Sequence, residues 1–163
     1  MPEIIIIAHN IRSTHNVGAI FRSGDGFGVS KIILSGYTPY PRIANDSRLP
    51  HISQKLTNQI HKTALGAESL IPFEYQEIPD LSSLKQEGFT IVGLEQDERS
   101  ILLPRYASPD KLALLLGEEV EGLTEDLKVA CDVLIEIPMS GKKESFNVSV
   151  ATGIALYALT TVN

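Results

Sequence analysis

Four consecutive isoleucines, Ile4–Ile7, lie between Glu3 and Ala8 near the start of the chain. Successive side chains of a strand point to opposite faces. An unbroken β-branched run therefore suits a strand covered on both sides, as in a parallel sheet packed between layers. The run is too short for a membrane span and lacks the basic leader of a secretory signal. Four more short apolar runs follow, at Lys31–Ser35, Phe89–Leu94, Leu112–Leu116 and Val133–Ile137. Helical patterns separate them, over Asn16–Phe27, Ser53–Leu65, Leu81–Gln86, Thr124–Ala130 and Asn147–Thr161. This alternation predicts an α/β fold with a mainly parallel sheet between helices. At 163 residues without a clear internal linker, a single domain over 1–163 is expected.

Local signals refine this outline. Thr124 caps a helix that carries Glu125 and Asp126 in its first turn. The final helix is apolar almost all round, so it should be buried or meet a partner. Gly24-Asp25-Gly26-Phe27-Gly28 lacks the order of a dinucleotide fingerprint and suits a helix end followed by a turn. The one cysteine, Cys131, sits in an apolar stretch and has no second cysteine to bridge or to complete a zinc pattern. Nothing in this usage opposes a reducing cytoplasm. The irregular stretch Gly36–Pro50 holds a tyrosine pair, three prolines and two arginines. Loops of that length in compact domains are usually functional.

A net charge of −6 argues against nucleic acid until its distribution is considered. Up to Lys62 there are seven basic and three acidic residues, a net +4, and all four histidines. The remainder has seven basic and seventeen acidic residues, a net −10. Such asymmetry suits a phosphate-facing surface, and equally an unevenly charged solvated face.

Three constellations carry polar groups at strand ends, where open α/β sheets bind ligands. The first runs from His9 to Arg22 and contains Asn16 and Gly18. Asn16 can cap a helix, and the planar fork of Arg22 can grip a phosphate. The second, Leu116-Gly117-Glu118-Glu119-Val120-Glu121-Gly122-Leu123, crowds three carboxylates between two glycines. An exposed acidic turn would explain them, and no histidine or further ligand accompanies them for a metal. The third runs from Ile137-Pro138-Met139 to Ser145-Phe146-Asn147 and on to Ala151, with Ser145 and Asn147 placed to open a helix.

In this order and spacing, the three closely resemble the motifs of the SpoU (TrmH) family of RNA ribose methyltransferases, within the SPOUT superfamily. The resemblance spans nearly the whole chain. It implies a six-stranded parallel sheet, a deep trefoil knot near the C-terminus, S-adenosyl-L-methionine bent within that knot, and a homodimer with the active site completed across its interface. It implies an RNA substrate, tRNA or rRNA, methylated at a ribose 2′-hydroxyl in the cytoplasm, with no metal and no membrane. Carried over residue by residue, Arg22 orients the ribose–phosphate and Asn16 supports it. Glu119 stabilises the knot loop, while Ser145 and Asn147 shape the pocket. Leu94, Gly117, Ile137, Met139 and Ser145 fall where the cofactor is contacted. A guanidinium resists deprotonation, with a pKa above about 12, so Arg22 is expected to clamp and stabilise charge. Many members carry an added RNA-binding domain or long terminal helices, and neither is expected here. RNA is then expected to meet Arg12, Arg42, Arg48 and Lys55. The alternative from another class is a non-catalytic RNA-binding protein on the same fold.

Overall fold

A computed structural model describes residues 1–161 of the chain. Seven parallel strands form one sheet in the order β3-β2-β1-β6-β4-β7-β5. The strands are β1 (Glu3–His9), β2 (Lys31–Ser35), β3 (Phe73–Gln76), β4 (Thr90–Leu94), β5 (Ile101–Leu102), β6 (Lys111–Leu116) and β7 (Val133–Glu136). The helices are α1 (Thr14–Gly26), α2 (Pro50–Ala64), α3 (Leu81–Gln86), α4 (Glu125–Ala130) and α5 (Val148–Thr161). Six strands are what the resemblance implies. The seventh is the two-residue β5, which pairs only with β7.

The isoleucine tetrad explains the layering. Ile4 and Ile6 point into one core with Ile20, Phe21, Ile60 and Leu156, so α1, α2 and α5 cover that face. Ile5 and Ile7 point into the other, with Leu84, Leu123 and Leu127, beneath α3 and α4. Register is fixed because β1 pairs on both sides, Ile6 lying opposite Ile32 of β2 and Leu114 of β6. A slip of one residue would exchange the two cores.

Predicted elements shift by a few residues at their ends, and the reasons are local. Helix α1 begins at Thr14 because Ser13 caps it, its hydroxyl accepting the Asn16 N–H at 3.2 Å. Helix α2 begins at Pro50, a residue suited to the first turn because it has no N–H to lose. Strand β3 escaped the sequence reading because Phe73-Glu74-Tyr75-Gln76 alternates and is only half-buried, as an edge strand is. The final helix buries only one side, Thr152, Ala155, Leu156 and Leu159, and it packs against α1.

Candidate active site

Every strand is parallel, so the C-terminal ends of β1, β6, β4 and β7 share one edge of the sheet. The chain leaves that edge through the three sequence motifs. After β1 it passes Arg12 and Ser13 into α1. After β6 it reverses through Gly117–Gly122. After β7 it runs through 137–147 into α5.

The reversal after β6 depends on two glycines. Glu118 and Gly122 form a bridge, and the Gly122 N–H donates to the Glu118 carbonyl at 2.9 Å. Gly122 has φ of 71°, in the left-handed region open to glycine. A Cβ on Gly117 would stand 2.6 Å from Leu123 N, and one on Gly122 would stand 2.2 Å from the Glu95 carboxylate. That carboxylate ties the turn to β4 by accepting the Leu123 N–H at 2.6 Å.

Glu119 reaches from this turn to the first motif. Its carboxylate accepts the backbone N–H groups of Arg12 and Ser13, at 3.3 and 3.4 Å, and the Asn16 amide NH₂ at 3.3 Å. Asn16 Oδ1 in turn accepts from Asn147 Nδ2 at 3.2 Å. The other end of the Asn147 amide caps α5, its oxygen accepting the N–H of Ser149 at 2.9 Å and of Val150 at 3.4 Å. One hydrogen-bonded bridge, Glu119–Asn16–Asn147, thus links all three motifs. Asn16 is not a cap, since Ser13 performs that task and leaves its amide free. Asn147 is a cap and a bridge at once.

A cleft of about 140 Å³ opens beside the bridge. Leu94, Gly117, Ile137 and Ser145 line it, as does Glu119, whereas Met139 is half-buried outside its wall. Leu116, Val148 and Ala151 add apolar surface. Glu95, Glu118, Glu121 and Glu136 add carboxylates, and no basic side chain lines it. The sequence reading missed Glu95, and its signal was its place directly after the last residue of β4. Among the described residues, no three His, Cys, Asp or Glu side chains are grouped to hold a metal ion.

Arg22 stands apart from the bridge. It is exposed on α1 and makes no hydrogen bond or ion pair among the described residues. The arginines expected to meet RNA divide. Arg12, Arg42 and Lys55 are exposed. Arg48 is not free: its guanidinium pairs with Asp46 at 2.6 Å, donates to the carbonyls of Tyr40 and Pro41 at 2.8 and 3.1 Å, and lies over the Tyr40 ring. The Arg48 guanidinium, with the backbone N–H groups of Arg48 and Ile43, holds the Asp46 carboxyl well below the usual carboxylate range. These contacts brace the Gly36–Pro50 loop and leave Arg48 only partly exposed.

Residues 3–157 match the SpoU rRNA Methylase family. The chain is 34% identical over 158 residues to the 23S rRNA (guanosine-2′-O-)-methyltransferase RlmB of Nitrosomonas europaea, covering 96% of this chain and 55% of that protein. It therefore spans little more than half the length of such curated relatives. The TrmH/SpoU tRNA modifying enzyme of A. aeolicus superposes with a TM-score of 0.78 at 26% identity, covering 98% of this chain and 75% of that one. The AdoMet-bound rRNA methyltransferase of Sinorhizobium meliloti shares the fold with a TM-score of 0.78, at 24% identity and over 96% and 55% of the two chains.

Proposed function

The chain belongs to the SpoU rRNA Methylase family, and from that premise we propose that it transfers a methyl group from S-adenosyl-L-methionine to a ribose 2′-hydroxyl in ribosomal or transfer RNA. The observation that carries this reading is the Glu119–Asn16–Asn147 bridge at the lip of the cleft. It unites residues far apart in sequence into one polar surface beside a pocket of the right chemistry.

The cleft suits that cofactor. Its aliphatic walls, Leu94, Leu116 and Ile137, offer an apolar slot to an adenine ring. Its carboxylates favour a positively charged sulfonium and amine. Gly117 and Gly122 let the turn that lines the cleft fold tightly on itself and on Glu95, where a side chain would collide. When bound, S-adenosyl-L-methionine supplies a methyl group already attached to a good leaving group. The main task of the protein is then to place the hydroxyl oxygen in line. Arg22, whose donors are free, grips the phosphate beside the target ribose and stabilises charge there. Asn16, held from both sides, and Ser145 shape the position of the ribose.

Two further parts of the reading concern assembly. The C-terminal part is read as a trefoil knot. Strand β7 lies between β4 and β5, which are joined only by residues 95–100, so the chain leaves β7 from within its neighbours' own connection. The working form is read as a homodimer. Val150, Ile154 and Tyr157 form an exposed apolar stripe at helical spacing along α5, with Phe146 exposed just before it. Helix α5 packs on α1, which carries Arg22, so a second copy seated on the stripe would come beside that arginine. Among the described residues, no helix is long and apolar enough to cross a membrane, and the cytoplasm is the proposed place of action.

Incubation with radiolabelled S-adenosyl-L-methionine and total tRNA and rRNA tests the reading. Label should enter RNA, and mass spectrometry should find it on a ribose. Absence of both transfer and detectable cofactor binding would favour the non-catalytic RNA-binding alternative.

A further inference from the structure

We infer that a second groove, beside Arg12 and Tyr37, is a stacking subsite for a nucleobase of the bound RNA, separate from the cofactor cleft. The inference rests on RNA being the substrate and adds the subsite that holds one of its bases. The groove has a volume of about 670 Å³, and its wall includes Arg12, Tyr37, Tyr40, Leu56 and Gln59. It shares Arg12 and Ser13 with the bridge, because their backbone N–H groups are the ones that Glu119 accepts. A base lying in the groove therefore belongs to RNA that also passes the bridge.

Most of the groove's aromatic surface is already committed. Tyr40 stacks on Tyr75 with ring centroids 4.3 Å apart, and the Arg48 guanidinium lies 3.5 Å from the Tyr40 centroid. Tyr37 differs, being 50% exposed. Its place is nevertheless fixed. Its N–H donates to Asn10 Oδ1 at 3.0 Å, and the preceding Gly36 carbonyl accepts the Tyr75 hydroxyl at 2.6 Å. Gly36 has φ of 65°, and a Cβ there would collide with the Asn10 side chain, so a side chain in the turn that presents Tyr37 would be strained.

The one cation near that ring is Arg12, with its guanidinium carbon 5.8 Å from the Tyr37 centroid. The Arg12 side chain has no hydrogen bond or ion pair among the described residues, and no carboxylate lines the groove. An exposed aromatic face held in place, with an unneutralised guanidinium beside it, matches the chemistry of a base attached to its phosphate. The ring stacks on the base irrespective of its identity, and the cation meets the backbone.

The test compares two fluorescein-labelled RNA decamers by anisotropy, one of adenosine and one with abasic riboses throughout. Wild-type protein should prefer the base-bearing strand. Tyr37→Ala should weaken binding of that strand roughly 5- to 100-fold and leave the abasic strand unchanged, while Tyr37→Phe should retain the preference. Equal binding of the two strands by wild type, an unchanged affinity in Tyr37→Ala, or an equal loss on both strands would each overturn the subsite. Calorimetry with S-adenosyl-L-methionine on the same samples keeps the two readings distinct. Absent heat in wild type refutes the methyltransferase while leaving the stacking comparison readable.

Discussion

The side-chain amide of Asn147 has a donor end and an acceptor end, and each has a different employer. The oxygen caps α5 and the NH₂ reaches Asn16. Asn147→Asp separates these tasks. A carboxylate still caps, and is favoured at a helix N-terminus, but it has no hydrogen to offer Asn16. Thermal melts of Asn147→Asp should match wild type, while methyl transfer falls by about tenfold or more, consistent with the loss of one oriented hydrogen bond. Equal loss of stability and transfer would reduce Asn147 to a cap. Arg22 poses the complementary case, an exposed guanidinium with no partner among the described residues. Arg22→Ala should cut transfer by about a hundredfold or more, the scale of deleting a charge-stabilising donor. Calorimetry should find cofactor affinity nearly intact, because the cleft lining does not include Arg22. Near wild-type turnover would remove Arg22 from the chemistry.

Between elements, the most exposed polar fastening joins the β4–β5 loop to α4. Arg99 donates to Asp97 at 2.8 Å and to Glu125 at 2.8 Å, and Lys128 reaches Asp97 at 3.3 Å. The Arg99 guanidinium, and then the Lys128 ammonium, hold the Asp97 carboxyl well below its ordinary range. A carboxyl depressed on folding stabilises the fold above its unfolded value, near 3.9, and that contribution is lost as pH falls through the folded value. Melts followed downward from about pH 5 should therefore decline more steeply in wild type than in Asp97→Asn, and parallel curves would show that the fastening contributes nothing. This loop also shows where sequence reading ends. Long apolar runs disclosed β1, β2, β4, β6 and β7, because full burial leaves an unbroken run. Strand β5 has two residues and one neighbour, too little to leave a pattern. The motif residues were legible as types at strand ends, and their roles were not. Asn16 meets Glu119 across 103 residues and Asn147 across 131, pairings that only the parallel order of the sheet brings about. Arg48 shows the converse, a cation whose pairing with Asp46 two residues away could not be told from solvent exposure.

For the whole molecule, the apolar stripe on α5 makes a quantitative demand on assembly. Ile154→Asp places a charge at its middle while leaving the buried side of the helix untouched. Light scattering at micromolar concentration should find wild type dimeric and Ile154→Asp monomeric, and a monomeric wild type active on RNA would exclude the dimer. RNA affinity should fall with salt despite the net charge, with each neutralised phosphate adding a log–log slope of roughly 0.7 to 0.9. The double variant Arg42→Ala with Lys55→Ala should flatten that slope by about one to two units without changing cofactor binding. An unaltered slope would place the RNA face elsewhere. The strand order gives the uneven charge a direction. Strands β2 and β1, with α1 and α2, belong to the +4 part of the chain, while β6, β4, β7 and β5 on one side and β3 on the other belong to the −10 part. The basic part of the chain is thus a band of the sheet with acidic flanks on either side. In the field of a polyanion such a body is turned before it is touched. Its basic band swings toward the RNA and its acidic flanks away, so a larger share of collisions begins with the band facing the substrate.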